Sequence, residues 1–148
     1  MRVRIITLSA LLLAGCAFAD DDSSRAKLLG RWQSDGNAEA KSTWALEGLG
    51  DSIHVTLSNG TQTVADFECN TVGRECAVKD AGRKSKVSMY FNGPRLVELE
   101  TKGTQVVKRR FSLTGEGDTM DVEIIPIAPE GKSETMHFKR VPAAVAKQ

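Results

Sequence analysis

Asn59-Gly60 separates two short runs rich in β-formers, residues 53–57 and 61–69, and the first of them alternates apolar and polar residues strictly. An Asn-Gly connection accepts the positive φ that a tight hairpin demands at both central positions, so it is the strongest short-range hairpin signal. Asn92-Gly93 repeats the arrangement between 84–91 and 95–101. The same theme, a short run and then a turn signal, recurs from Leu28 to Val141. Ten runs are legible: 28–34, 42–47, 53–57, 61–69, 75–79, 84–91, 95–101, 104–114, 119–127 and 132–141. No segment with a helical period follows residue 19. Strands at this spacing build a sandwich or a barrel. Consecutive tight turns favour up-and-down order over a Greek key, which needs long return connections, and a closed barrel removes the exposed edges. The sequence predicts an all-β fold, an antiparallel up-and-down barrel of about 8–10 strands.

Period-two alternation assigns the faces. Ile53, Val55 and Leu57, then Val87, Met89 and Phe91, then Val97 and Leu99 are expected inside, with Met120, Val122, Ile124, Met136 and Phe138. Lys86, Ser88, Glu98, Glu100, Asp121, Glu123 and Lys139 are expected outside. Arg109 breaks the pattern. It shares a face with Val107, Phe111 and Leu113, so it points inward if they do. A buried guanidinium must be paired, because an isolated buried charge is very costly. Three outcomes are open: a clamp for a ligand anion, a pair with an internal carboxylate, or a bulge at Val106-Val107 that turns Arg109 outward. Arg109, Phe111, Met89 and Phe91 are the candidate ligand-binding residues.

The chain opens with Arg2 and Arg4, an apolar run from Ile5 to Leu13 broken only by Thr7 and Ser9, and small residues up to Ala19. That order is a secretory signal, and the run is too short for a membrane span of about 20 residues. Two processing sites overlap. Leu13-Ala14-Gly15-Cys16 resembles the bacterial lipobox, whose cysteine is acylated, and Ala17-Phe18-Ala19 fits cleavage before Asp20. Either route leaves Cys69 and Cys76 as an even pair. Six turn-rich residues separate them, so in an oxidising envelope they are expected to form a hairpin disulfide; a redox pair lacks the C-x-x-C spacing. The expected division is a signal segment 1–19 with the lipobox at 13–16, a tether 20–26, the barrel 27–141 and a flexible tail 142–148.

Without Arg2 and Arg4 the remainder carries 18 basic and 19 acidic side chains. Such a balance argues against nucleic acid, which needs a basic footprint, and against electrostatic adhesion to anionic lipid. Membrane association is expected only through a lipid anchor on Cys16. His54 and His137 lie apart and face outward by parity, whereas a metal site wants three or four convergent ligands. No nucleophile elbow, zinc-protease motif or phosphate loop occurs. The reading contains no catalytic residue, metal or cofactor, and the chain is expected to be a monomer and not an enzyme.

Leu29-Gly30-Arg31-Trp32 resembles the G-x-W opening of lipocalin-like (calycin) barrels, and Arg140 stands where that family carries an arginine near its last strand. The resemblance implies that Trp32 plugs one barrel end while Arg140 packs across its ring as a structural latch. Lys41-Ser42-Thr43-Trp44 and the hairpin 112–120 are similar in layout to small exported bacterial lipocalin-like proteins of unassigned function; no ligand chemistry follows from that. The expected function is an exported binding or accessory module of the cell envelope that holds a small apolar or amphipathic ligand, since small barrels either fill their interior or hold one guest. The alternative is a fully packed barrel that recognises another envelope protein. Ala17 after Cys16 is expected to direct a lipoprotein to the outer membrane, facing the periplasm or the surface; without lipidation the protein is expected soluble in the periplasm or secreted.

Replacing Cys16 by Ser is expected to move the protein from the membrane fraction to the soluble fraction. A wild-type protein already soluble, with Asp20 as its first residue, overturns lipidation in favour of the second processing site.

Overall fold

A computed structural model of the chain describes residues 18–36, 41–80 and 83–142. The lipobox with Cys16, most of the signal segment, and the tail from 143 lie outside the described residues. One helix, α1 (Phe18–Leu28), precedes ten strands: β1 (Gly30–Ser34), β2 (Ser42–Leu49), β3 (Ser52–Asn59), β4 (Gln62–Asn70), β5 (Cys76–Asp80), β6 (Arg83–Asn92), β7 (Arg95–Lys102), β8 (Gln105–Thr114), β9 (Thr119–Ala128) and β10 (Glu134–Val141). The turn signals do what their chemistry predicts. Gly60 and Gly93 both take φ near +60° (60° and 58°), where a side chain is strained.

All ten strands join one antiparallel sheet in the order β4-β3-β2-β1-β10-β9-β8-β7-β6-β5. Consecutive strands are neighbours in the sheet with one exception, and one further pairing joins strands distant in sequence. The first and last strands pair, Trp32 opposite Arg140, which rolls the meander into an up-and-down barrel. Strands β4 and β5, although consecutive, form no ladder and leave a gap in the wall. At one end that gap is stitched. Cys69 on β4 and Cys76 on β5 are disulfide-bonded with Cα atoms 5.7 Å apart. Beyond them Val72 bridges to Tyr90, and the Gly73 N–H donates to the Met89 carbonyl at 2.8 Å. The loop after β4 thus pairs with β6 and steps over β5.

Residues 20–26, expected as a tether, instead form the body of α1. Nothing in FADDDSSRAKL gives a continuous apolar stripe, which is why helical periodicity is invisible there. Charge and tertiary capping hold the helix. Three aspartates at its N-terminal end and Arg25 and Lys27 in its last turn suit the helix dipole. Its C-terminal carbonyls, which lack helical partners, are taken by the barrel. The Trp32 indole donates to the Leu28 carbonyl at 2.9 Å, and the Arg140 guanidinium donates to the carbonyls of Lys27, Leu29 and Gly117. Leu28 is wholly buried, worth about 1.5–3 kcal/mol.

Arg140 also lies 4.1 Å from the Trp32 ring centroid. A cation–π contact of that kind is worth about 0.5–2 kcal/mol. Gly30 takes φ 133°, and a Cβ there would stand 2.7 Å from the Arg140 Nη1. Glycine is therefore required in the G-x-W segment by both conformation and space. Helix α1, Trp32 and Arg140 together close one end of the barrel.

Most of the expected faces hold. Ile53, Val55, Val87, Met89, Met120, Val122 and Phe138 are buried core residues, and Leu57, Phe91, Ile124 and Met136 pack against them. Strand β7 is the correction. Glu98 and Glu100, expected outside, share the inner face with Leu96, and Val97 and Leu99, expected inside, share the outer one: Leu96 lies opposite Phe111 and Glu98 opposite Arg109. The run Leu96-Val97 offers two phases, and apolar counting alone picks the wrong one. Val97 is still buried on the outer face, opposite Tyr90 and Arg110.

Replacing Cys69 and Cys76 by Ser together is expected to lower the unfolding free energy by about 2–3 kcal/mol on the chain-entropy account. Amide exchange should quicken first along β5, the edge strand released from β4. Urea unfolding and hydrogen exchange check both; an unchanged β5 would mean that the ladder to β6 alone holds it.

Candidate functional site

The inner face of the barrel changes character along its axis. At the α1 end it is apolar and packed, with Trp32, Leu46, Leu96, Met120 and Phe138 buried. Halfway along, Trp44 on β2 meets Phe111 on β8 edge to face, ring centroids 5.1 Å apart and planes at 87°, a favoured aromatic geometry. One inward step beyond Phe111, toward the open end, stands Arg109.

Arg109 faces inward, opposite Glu98 across β7 and Ile124 across β9. The expected irregularity at Val106-Val107 exists, but the extra residue is Ile127 on β9, since Val106 pairs with Ala128 and Val107 with Pro126. A bulge on the partner strand leaves the parity of β8 intact. Two protein carboxylates meet the guanidinium through one nitrogen. Arg109 Nη1 donates to Glu98 Oε1 at 2.6 Å and to Glu100 Oε2 at 2.8 Å. Of the three outcomes open for Arg109, the geometry realises the internal pair. The Arg109 side chain is 19% exposed, Glu100 24% and Glu98 2%.

Burial pushes the Glu98 carboxyl above its ordinary value; Arg109 opposes that shift and Glu100 adds to it. Burial likewise disfavours the Arg109 charge, but the two carboxylates outweigh it and hold the guanidinium cationic. Glu98 Oε2 is buried and has no hydrogen-bond partner among the described residues.

Beside this cluster the barrel interior holds a pocket of about 180 Å³. Its walls are Trp44, Leu57, Phe67, Val78 and Val87, with Glu98, Glu100 and Arg109 on one side. Val64, the extra residue at the β3–β4 bulge, and Ala65 line it from one side of the wall gap; Val78 and Ser85 line it from the other. A second depression of about 500 Å³ shares Val78 and Ser85 and is also lined by Ala77, Thr101 and Gly103 and by Lys79, Lys84 and Lys86. A third of about 480 Å³ lies at the α1 end among Lys27, Pro94 and Glu116, away from the interior charges. The interior pocket alone combines apolar walls with a convergent polar cluster, the usual composition of a small-molecule site.

The candidate ligand residues are therefore not all brought together. Arg109 lines the pocket, whereas Phe111 and Met89 are fully buried in the core behind it. Phe91 belongs to the opposite end, where Arg25 of α1 lies 5.0 Å from its ring centroid and donates to the Gly93 carbonyl. Sequence reasoning missed Glu98 and Glu100 as site residues. The signal was present in the demand of an inward Arg109 for an acid on a neighbouring strand. His54 and His137 face outward against Asp66 and Asp121, at 2.6 and 2.7 Å, and no metal-binding cluster occurs among the described residues.

Replacing Arg109 by Met strands two carboxylates and is expected to cost about 3–5 kcal/mol of stability, while the double change Arg109→Met with Glu98→Met should recover most of that loss. Urea unfolding of the two variants checks this; a loss below about 1 kcal/mol in the single variant would show that the pair is not structural.

No protein-family model matches the chain, and no curated protein matches it. Solved structures do match it. The chain is similar to the REP1-NXSQ fatty acid transporter, at 19% identity and TM-score 0.65 over 80% of this chain and 98% of that one. It is similar to a Schistosoma mansoni fatty acid binding protein in complex with arachidonic acid, at 18% identity and TM-score 0.62 over 80% and 99%. A third likeness is to secretory abundant heat soluble protein 4 from Ramazzottius varieornatus, at 16% identity and TM-score 0.64 over 78% and 96%. At such identities the likeness is one of fold. The chain shares with them the fold of an antiparallel up-and-down barrel.

Proposed function

We propose that this protein is a binding module of the cell envelope that takes a small apolar or amphipathic molecule into the open half of its barrel. The observation that carries the reading is the interior pocket of about 180 Å³ with apolar walls and one polar side. Two of the similar structures are described as a fatty acid transporter and a fatty acid binding protein, which supports a barrel that holds an apolar guest. The pocket is smaller than the roughly 300–1,000 Å³ of drug-sized sites. It suits a single ring or a short chain, since an engineered apolar cavity of about 150 Å³ holds benzene. Between Trp44–Phe111 and α1 the interior is occupied by Trp32, Leu46, Leu96, Met120 and Phe138, all buried. An envelope location rests on the signal-like leader, the lipobox at Cys16 and a disulfide of the kind oxidising compartments favour.

The packed interior also favours a second reading, a barrel that recognises another envelope protein through its surface. One set of measurements separates the two. Toluene and benzyl alcohol are expected to change tryptophan fluorescence saturably, because Trp44 lines the pocket. Ala65→Phe, which fills the pocket from β4, should weaken that binding at least tenfold while the melting temperature stays within a few degrees. Native mass spectrometry of protein from its own envelope should show a small bound mass. Bare protein and a flat titration with both probes would leave the interaction barrel as the function.

A further inference from the structure

We infer that the ligand of this pocket carries a hydrogen-bond donor, of the class of a small apolar-bodied primary amine, and is not a carboxylic acid; the inference rests on the binding reading above.

At Arg109 the acids outnumber the base that pairs with them. Two carboxylates, Glu98 and Glu100, face one guanidinium, and both are served by the same Nη1. With all three ionised, Glu98, Glu100 and Arg109 together carry one negative charge, and the fourth charged residue of the pocket, Lys102, is paired with neither glutamate among the described residues. An incoming carboxylate would be a third anion beside them, and like charges at close range in a poorly solvated site repel strongly. Arg109 already serves both carboxylates through Nη1, so an anion meeting its other nitrogens would sit beside two glutamates.

The second observation is independent of the charge count. Glu98 is 1% exposed and lines the pocket, and its Oε2 accepts nothing from any described residue. Buried polar atoms are nearly always hydrogen-bonded, so an unpaired carboxylate oxygen on a residue that lines a cavity calls for a donor from whatever enters it. An ammonium group supplies three donors and carries its positive charge with them, and a charge-assisted bond to a buried carboxylate is stronger than a neutral one. Lys102, the next inward position on β7, also lines the pocket but makes no ion pair with either glutamate among the described residues. The other walls, Trp44, Leu57, Phe67, Val78 and Val87, offer an apolar or aromatic body its contacts, and an aromatic wall is also favourable beside a cation.

Three probes of nearly equal size test this on the full chain with its signal segment removed: benzylamine, benzyl alcohol and benzoate, titrated by calorimetry near neutral pH. Benzylamine is expected to bind at least tenfold more tightly than benzyl alcohol, and benzoate more weakly than either. In Glu98→Gln, which keeps the shape and removes the charge, the amine should lose its advantage over the alcohol. Benzoate as the tightest probe, equal affinities of amine and alcohol in the wild type, or an amine preference that survives Glu98→Gln would each overturn the inference. The wild-type ranking decides the matter even if the variant folds poorly. Binding of benzyl alcohol with no preference for the amine sinks the donor inference alone, whereas failure of all three probes sinks the binding reading with it.

Discussion

Strand β1 pairs with β10 through four residues, from Arg31 opposite Val141 to Ser34 opposite Phe138, and the rest of the molecule depends on that short ladder. The remaining eight ladders join strands adjacent in sequence and need only local turns. The β1–β10 ladder joins residues more than a hundred positions apart, so its loop-closure entropy is large relative to its few hydrogen bonds. Side chains at the junction supply what the backbone does not. Arg140 sits over Trp32, fills the space above Gly30 and holds the last carbonyls of α1. One guanidinium thereby links the first strand, the last strand, the helix and the β8–β9 turn at Gly117. The short G-x-W segment is legible as chemistry: glycine for room, tryptophan for the plug and the indole N–H for the helix end.

Closing the barrel at β1–β10 moves its weak seam to β4 and β5. Open strand edges invite pairing with other chains, and this edge is protected by a covalent bond at one end and left apart toward the other. The pocket borders the unstitched part, with Val64 and Ala65 on one side and Val78 on the other. The seam, the bulge at Val64 and the interior cavity thus form one region. A continuous ladder between β4 and β5 would draw their side chains into the space the pocket occupies.

The interior is divided by chemistry. Toward α1, buried apolar side chains such as Trp32, Leu46, Leu96, Met120 and Phe138 occupy it. Past the Trp44–Phe111 contact the same strands turn inward an arginine, two glutamates and a lysine. Buried ion pairs seldom repay their desolvation as well as apolar packing would, so this cluster is an inefficient way to stabilise a barrel. An apolar core continued through positions 98, 100 and 109 would be cheaper to fold. Its placement at an interior cavity, with an acceptor left unpaired among the described residues, suits recognition better than folding.

Much of this was present in the sequence. Ten runs and their turn glycines lie within about three residues of the ten strands, because hairpin turns and period-two alternation are local properties of the backbone. The pairing of Cys69 with Cys76 was legible for the same reason, as the two close a short loop. Helix α1 was not legible, since it has no apolar stripe and the groups that cap it, Trp32 and Arg140, lie outside its own eleven residues. The phase of β7 was not legible either. Leu96 and Val97 are adjacent and apolar, so alternation alone allows Glu98 to face either way, and only the presence of Arg109 across the strand selects the inside. By itself the sequence determined where the chain extends and where it turns, because those choices are made within a few residues. The tertiary structure decided which carboxylates meet the buried arginine and what space is left beside them, because charge pairing and volume are settled between strands.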